Sequence, residues 1–330
     1  MKRSYAVLLL AGATVFVAAG AGARSPAARV LEVKGKATIL DLENFDRPAA
    51  IYGTLYSDDR LVIDKNASAA LVFRADGHIE RLTAPGTFKV TQSGCQPRTG
   101  IEVVAVPERS QSLVGKISRG PKGIVQGGVT LVRAPPPPGA PRENSKPAKP
   151  MGPPCISPIP ESTVLAVKPT FSWSEVPKAK TYALKLFFLG NQVWSVTTST
   201  TSLQYAGDAP LKAGAKYTWE VTAKLDGKAS SVCEGVFTTA TDAQRADVAA
   251  FEQLLAKPEV PFLSLAALWY KQHGFLVEAI AVNEQLAKLT ADPAVYYTLA
   301  ELYQQVGRIK DADAAADKAT ELEGKAQEKK

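Results

Sequence analysis

The side chains in this 330-residue chain that could attack, ligate or shuttle a proton are few and scattered. His78 and His273 are its only histidines and lie in different halves of the chain, so a histidine-based triad has nothing to assemble around. Cys95, Cys155 and Cys233 are its three cysteines. None stands in CxxC spacing, which argues against dithiol exchange and a zinc site. Asp58, Asp59 and Asp76 invite an acid–base or metal reading, but each falls where a β-chain reverses, and turn chemistry accounts for them. The glycines at 115, 120, 123, 127 and 128 lack the Lys-Ser/Thr that would make a phosphate cradle. No nucleophile elbow, Walker loop or HExxH helix occurs. We therefore expect no catalytic, cofactor-binding or metal residue, no cofactor, and a protein that is not an enzyme. An enzyme with an unrecognised site stays open as the opposing reading.

A C-terminal repeat is more informative. Tyr270 and Gly274 recur as Tyr303 and Gly307, and Glu278-Ala279 recurs as Asp311-Ala312, all 33 residues apart. That spacing, with Gly at a turn and Ala at a close helix approach, describes stacked helical hairpins. The spacing predicts helices from a cap at Asp242 to about Lys257, then 262–272, 276–289, 294–305 and 310–324, with a fraying tail beyond Gly324. Residues 241–330 resemble tetratricopeptide repeats, with Pro293 at the inter-repeat turn and Trp269 the one trace of the usual repeat start. The resemblance implies a concave face that grips a protein or peptide. Ala266, Trp269, Tyr297, Glu301 and Gln304 are the expected partner-binding residues, while Tyr270 and Tyr303 pack between helices.

The elements ahead of the repeat read as β-structure. Between Ala28 and about Val132 the apolar period is close to two, punctuated by Gly35, Gly53, Asp58-Asp59, Asp76-Gly77 and Gly100. Short strands at this spacing argue for a small antiparallel barrel or sandwich, with Asp76-Gly77 a strong hairpin signal. The order Val33-x-Gly35, Gly53-x-Leu55, Ser57 to Leu61, Ala67 to Phe73 and Asp76-Gly77 resembles the FecR domain, departing from it at Asp58, where that family has Gly. The iron-signalling role of the name-giving members needs a transmembrane helix and a cytoplasmic segment, so the resemblance implies a periplasmic β-domain only.

Residues 134–160 hold eleven prolines and read as an extended spacer. Beyond it, residues 161–240 alternate again, in Phe171-Ser172-Trp173, Tyr182 to Leu186 and Tyr217 to Val221. This unit resembles a fibronectin type III sandwich, with Trp173 and Trp219 between its sheets. In such sandwiches the first and last strands end near one another, which implies a Cys155–Cys233 disulfide. That bond would restrain the unfolded chain by about 4 kcal/mol. A Cys95–Cys155 bond is the rival. The fold class is thus multidomain: mainly β in the N-terminal and central parts, all-α in the C-terminal hairpins.

Charge and address complete the reading. Lys2-Arg3, an apolar stretch from Ala6 to Ala19 and Ala21-Gly22-Ala23 form an export signal over residues 1–23, predicting a mature start at Arg24 and a periplasmic or secreted protein. No later segment is apolar enough to span a membrane. The net charge is +7 at pH 7, and nine basic residues against three acidic crowd positions 98–149. Either this is a solvated linker or it attracts an anionic envelope polymer. Nucleic acid is excluded by export and by the absence of interleaved aromatics. The expected function is an exported, non-enzymatic envelope scaffold gripping a protein or peptide. The alternative is a peptidoglycan- or lipopolysaccharide-binding protein that uses its β-domains.

Overall fold

The computed structural model describes residues 24–106, 108–119, 155–225 and 228–328. The expected export signal, most of the proline-rich spacer and most of the basic stretch therefore lie outside the described residues. The N-terminal part folds as β1 (Pro26–Lys34), β2 (Ala37–Leu40), β3 (Asp46–Pro48), β4 (Thr54–Tyr56), β5 (Arg60–Ile63), β6 (Ser68–Phe73), β7 (Ile79–Leu82), β8 (Gly86–Thr91), β9 (Gly94–Gln96) and β10 (Ile101–Val104). These strands make two five-stranded sheets, ordered β10-β7-β6-β1-β4 and β3-β2-β5-β8-β9. Every pairing within them is antiparallel.

The first sheet is covered on both faces. Ala28, Val30, Leu71 and Phe73 pack toward the second sheet, whereas Leu31, Ala70, Val72 and Ile79 join the core of the helical part. Continuous apolar runs such as Ala69–Phe73 are what two-sided burial demands, since an alternating strand would put polar atoms into one of the two cores.

The stretch after β10 departs from the expected β-run. Glu108–Arg119 is a helix, α1, whose Leu113, Val114 and Ile117 form an apolar stripe at helical spacing and are buried. Gly77 (φ +83°) presses its turn onto α1, where an added Cβ would sit 2.6 Å from the Gly115 backbone. Only glycine fits there, for the positive φ and for the close approach.

The central unit is a sandwich of a three-stranded and a five-stranded sheet. Its strands are β11 (Cys155–Ser157), β12 (Ser162–Val164), β13 (Thr170–Trp173), β14 (Thr181–Phe188), β15 (Asn191–Thr198), β16 (Ser202–Gln204), β17 (Lys216–Leu225) and β18 (Lys228–Thr239). The sheet orders are β11-β13-β16 and β12-β18-β17-β14-β15. Phe171, Trp173, Leu184, Trp219 and Phe237 fill the space between them. Cys155 and Cys233 are disulfide-bonded with Cα atoms 5.5 Å apart, joining the two sheets. Cys95 is a free, buried thiol, so the rival Cys95–Cys155 pairing does not occur.

Five helices follow: α2 (Asp242–Leu255), α3 (Val260–Gln272), α4 (Leu276–Leu289), α5 (Pro293–Gln305) and α6 (Ile309–Glu328). The cap of α2 is Thr241 rather than Asp242. Its hydroxyl accepts the Gln244 N–H while the Gln244 side chain accepts the Thr241 N–H, a reciprocal capping box. Helix α6 also continues through Gly324, where fraying was expected. The α3/α4 and α5/α6 hairpins turn at Gly274 and Gly307, both at positive φ (+75° and +76°).

Helix α3 is the hub of the molecule. Pro261 to Ala267, Trp269 and Tyr270 are all buried. Such all-round burial belongs to a helix with neighbours on every side. Here these are α2, α4, α1 and β1. The sandwich docks on the same hub through the Gly274 turn, where Thr163 donates its N–H to the Gly274 carbonyl (2.8 Å) and its hydroxyl to that of His273 (2.7 Å).

Candidate functional site

Three polar tethers fix the N-terminal sheets against the helical hairpins. Ser264 Oγ donates to the Leu31 carbonyl (2.7 Å). Tyr52 Oη donates to Asn283 Oδ1 (2.8 Å), and Asn283 is itself oriented by donating to the Ala279 carbonyl (2.8 Å). The buried Asp292 carboxylate accepts the Ala294 N–H as the cap of α5 (2.9 Å) and the Ile51 N–H across the interface (2.8 Å). Burial raises its carboxyl above the ordinary value, and the two N–H donors pull the other way.

Beside these tethers the two parts leave a groove of about 1230 Å³. One wall comes from β2, β3 and their flanks, with Ala37, Pro48 and Ala50. The other comes from the α4–α5 turn, α5 and α6, with Leu289, Tyr297 and Leu322. Leu289 is 54% exposed although it is a large apolar side chain at a helix end. Lysines and acids rim the groove, and its basic groups are already paired: Lys34 with Glu32 (2.8 Å), Lys36 with Asp64 (3.8 Å) and Lys325 with Glu321 (2.5 Å). A mainly apolar channel whose lysines are already ion-paired suits a polypeptide segment better than a highly charged ligand.

The structure distributes the expected partner-binding residues unevenly. Ala266 and Trp269 are inside (0% and 2% exposed), because α1, α2 and β1 cover the face of α3 that an open repeat stack would present. That expectation is corrected for these two residues: they have no surface to offer a partner. Tyr297 lines the groove and donates to Glu323 Oε2 (2.9 Å). Glu301 and Gln304 lie exposed on α5, Glu301 paired with Lys271 (2.6 Å). Tyr270 and Tyr303 are buried between helices, as expected.

Sequence reasoning passed over one cluster of titratable groups. His78 Nδ1 lies 2.5 Å from Asp76 Oδ1 and its Nε2 3.2 Å from Glu80 Oε1. Glu80, fully buried in β7, also accepts the Cys95 N–H of β9 (2.8 Å) and an ion pair from Arg98. Asp76 lies in the hairpin turn and His78 just ahead of β7, so only their closeness in sequence to Glu80 hinted at the cluster. Burial and the neighbouring Glu80 charge push the Cys95 thiol far above its ordinary range, so it is no nucleophile. The cluster therefore ties one sheet to the other. Asp58 and Asp59 are likewise structural: Asp58 pairs with Lys89 (2.7 Å), and buried Asp59 accepts the Tyr56 N–H (2.9 Å) and pairs with Arg24. Among the described residues no group of three or more His, Cys, Asp or Glu side chains could hold a metal ion.

The cluster sets a pH window for stability. Burial alone would raise the Glu80 carboxyl, but His78, the Cys95 N–H and Arg98 outweigh it and hold it below 4.5. Hydrogen bonding to Glu80, against desolvation and with help from Asp76, raises His78 above 6.5. The Glu80 contribution is present above its unfolded value and lost as pH falls through the depressed one. The His78 contribution is complete below its unfolded value and lost as pH rises through the elevated one. The stability difference between wild type and His78→Gln should therefore be largest between pH 4.5 and 6.5 and shrink above that range. Thermal melts from pH 4 to 9 check this, and a difference that grows toward alkaline pH contradicts it.

No family model matches the chain, and no curated protein matches it. Solved structures give partial likenesses. The crystal structure of FN3tt is 18% identical, covering 27% of this chain and 96% of its own, with a TM-score of 0.22. A two-domain fibronectin type III segment from chicken tenascin is 13% identical over 66% of this chain and 94% of its own, with a TM-score of 0.20. A Streptomyces avermitilis α-L-rhamnosidase complexed with L-rhamnose is 23% identical over 27% of this chain and 10% of its own, with a TM-score of 0.22. Scores this low carry no weight for fold or function, and the sandwich stands on its own strand order and core.

Proposed function

We propose that the chain is an exported, non-enzymatic scaffold of the cell envelope that seats a segment of a protein partner between its N-terminal sheets and its helical hairpins. The groove carries this reading: an apolar channel, open to solvent, whose two walls are locked in position by the Asp292, Tyr52 and Ser264 tethers. A channel held rigid before binding loses little conformational entropy when a partner enters. The disulfide supports an oxidising compartment. No helix of the described residues is long and apolar enough to cross a membrane.

The test uses the full chain with a photo-crosslinking residue at Leu289 or Ala291 in the groove, at Gln304 on the outer face of α5, or at Lys224 on the sandwich as control. Adducts in envelope extract should form from the two groove positions and disappear when Tyr297 is changed to Asp. Adducts from Gln304 alone move the site to the outer face of α5. Adducts from Lys224 in equal yield reject the groove.

A second reading rests on the sandwich, where Phe188, Trp194, Tyr205, Pro210 and Tyr217 line a hollow of about 510 Å³. Aromatic walls of this kind accept sugar rings of an envelope polysaccharide. Retention on peptidoglycan or lipopolysaccharide that falls at least tenfold in Trp194→Ala supports this reading, and equal retention of the variant removes it.

A further inference from the structure

Among the described residues the four sheets have eight edge strands, and seven of them are protected by being short. β3, β4, β9, β11, β12 and β16 are three residues each, and β10 is four. The eighth, β15, runs eight residues from Asn191 to Thr198 at the margin of the sandwich's five-stranded sheet. An edge strand offers every second N–H and C=O to any chain that comes alongside, and proteins normally blunt long edges with Lys, Pro or inward charges. Here that protection is missing: from Asn191 to Gln204 there is no charged residue and no proline, in a chain 22% charged. The one irregularity is a bulge at Val193, where Leu186 pairs with Trp194 but Phe187 pairs with Gln192. Past it, Trp194 to Thr198 alternates regularly, with Trp194, Val196 and Thr198 half-buried and Ser195 and Thr197 exposed.

We infer that β15 is a self-association edge, pairing antiparallel with β15 of a second copy of this chain about a twofold axis at Val196. A twofold perpendicular to the sheet must pair residues of like face, and centring on Val196 uses the whole regular run while leaving the bulge outside. On the half-buried face this register sets Trp194 against Thr198 twice and Val196 against itself. On the exposed face it sets Ser195 against Thr197 twice. Aromatic with β-branched, β-branched with β-branched and hydroxyl with hydroxyl are all favourable cross-strand pairs. The absence of charge is what selects a second copy as the occupant. A charged edge would oppose its own like charges about the axis, whereas this one opposes none. The product is a continuous ten-stranded sheet, five strands from each copy.

Such a junction buries little surface and belongs to the weak class of interfaces. Sedimentation equilibrium of the full chain from ~1 μM to ~1 mM should therefore show a reversible monomer–dimer equilibrium. Two double variants read the register: Ser195→Lys with Thr197→Lys, and Ser195→Glu with Thr197→Glu. Each alone places like charges opposite one another and should weaken the dimer at least tenfold. Mixed in equal amounts, the two should restore association to at least the wild-type level, as a heterodimer. Circular dichroism of each double variant confirms the fold. If either fails to fold, Thr197→Lys mixed with Ser195→Glu replaces the pair. Monomeric wild type throughout the range overturns the inference. So does a dimer that both charge variants leave intact, because the contact then lies elsewhere.

Discussion

Replacing Trp269 with alanine is expected to destabilise the helical part by about 3–5 kcal/mol, the usual cost of emptying a buried aromatic site. The indole is 2% exposed and stacks between His273 (4.3 Å between ring centroids) and Phe275 (5.3 Å), with Phe251 and Tyr270 against its edges. These rings come from α2, α3 and the Gly274 turn, so none can close the gap without moving a helix or the turn that docks the sandwich. Gln304→Ala, exposed on α5, should change stability by no more than about 0.5 kcal/mol. Urea unfolding of the two variants separates a core role from a surface role. A Trp269→Ala protein with wild-type stability and lost partner capture would reinstate Trp269 as a contact residue.

The misplacement of Trp269 has a physical origin. A repeat pattern fixes which residues face one another within a hairpin, and it did so for Tyr270, Ala279, Gly274 and their echoes. It says nothing about what covers the outer side of the first helix. In an open stack that side is a binding face, whereas here α1 and β1 occupy it. The signs of this lay in neighbouring sequence. Leu263, Leu265, Ala266 and Ala267 leave α3 without a polar face, and Ala70 and Val72 fill the positions of β6 that a solvent-facing strand would make polar. Both are marks of elements buried on two sides, and each implied the other. Helix α1 was harder to read, because Gly115 and three serines dilute a stripe of only three apolar residues.

The groove was legible only in part. Tyr297 was named from its place in a repeat, but the opposite wall comes from β2 and β3, about 250 residues away in sequence, and no local pattern pairs them. The tether that aligns the walls is a single buried carboxylate, Asp292. It caps α5 and also accepts the N–H of Ile51, which lies in the turn between β3 and β4, so the tether joins positions 241 residues apart that no local pattern pairs. The tie between Glu80, His78 and Arg98 was missed for a related reason: a carboxylate in an apolar strand becomes conspicuous only once both of its faces are known to be covered.

Removing the disulfide by changing Cys155 and Cys233 together to serine should cost the sandwich about 4 kcal/mol, from a bridge that spans 78 residues. For a unit of this size that corresponds to a fall in melting temperature on the order of 20 °C. The bridge joins sheets of unequal strength. Cys233 lies in β18, which has β17 and β12 on its two sides, whereas Cys155 lies in β11, three residues that among the described residues pair with β13 alone. The loss should therefore begin at β11 and spread through Phe171 and Trp173 of β13, while the N-terminal sheets and helical hairpins keep their shared core. Limited proteolysis of the double variant should cut first within residues 155–173 and leave a resistant fragment containing α2 to α6. Thiol counting completes the test. The oxidised wild type should show no reactive thiol when folded, because Cys95 is buried with its thiolate disfavoured, and one when unfolded. A reactive thiol in the folded wild type would place Cys95 at the surface, and a double variant that melts with the wild type would mean that packing between the sheets, not the covalent bridge, holds β11 in place.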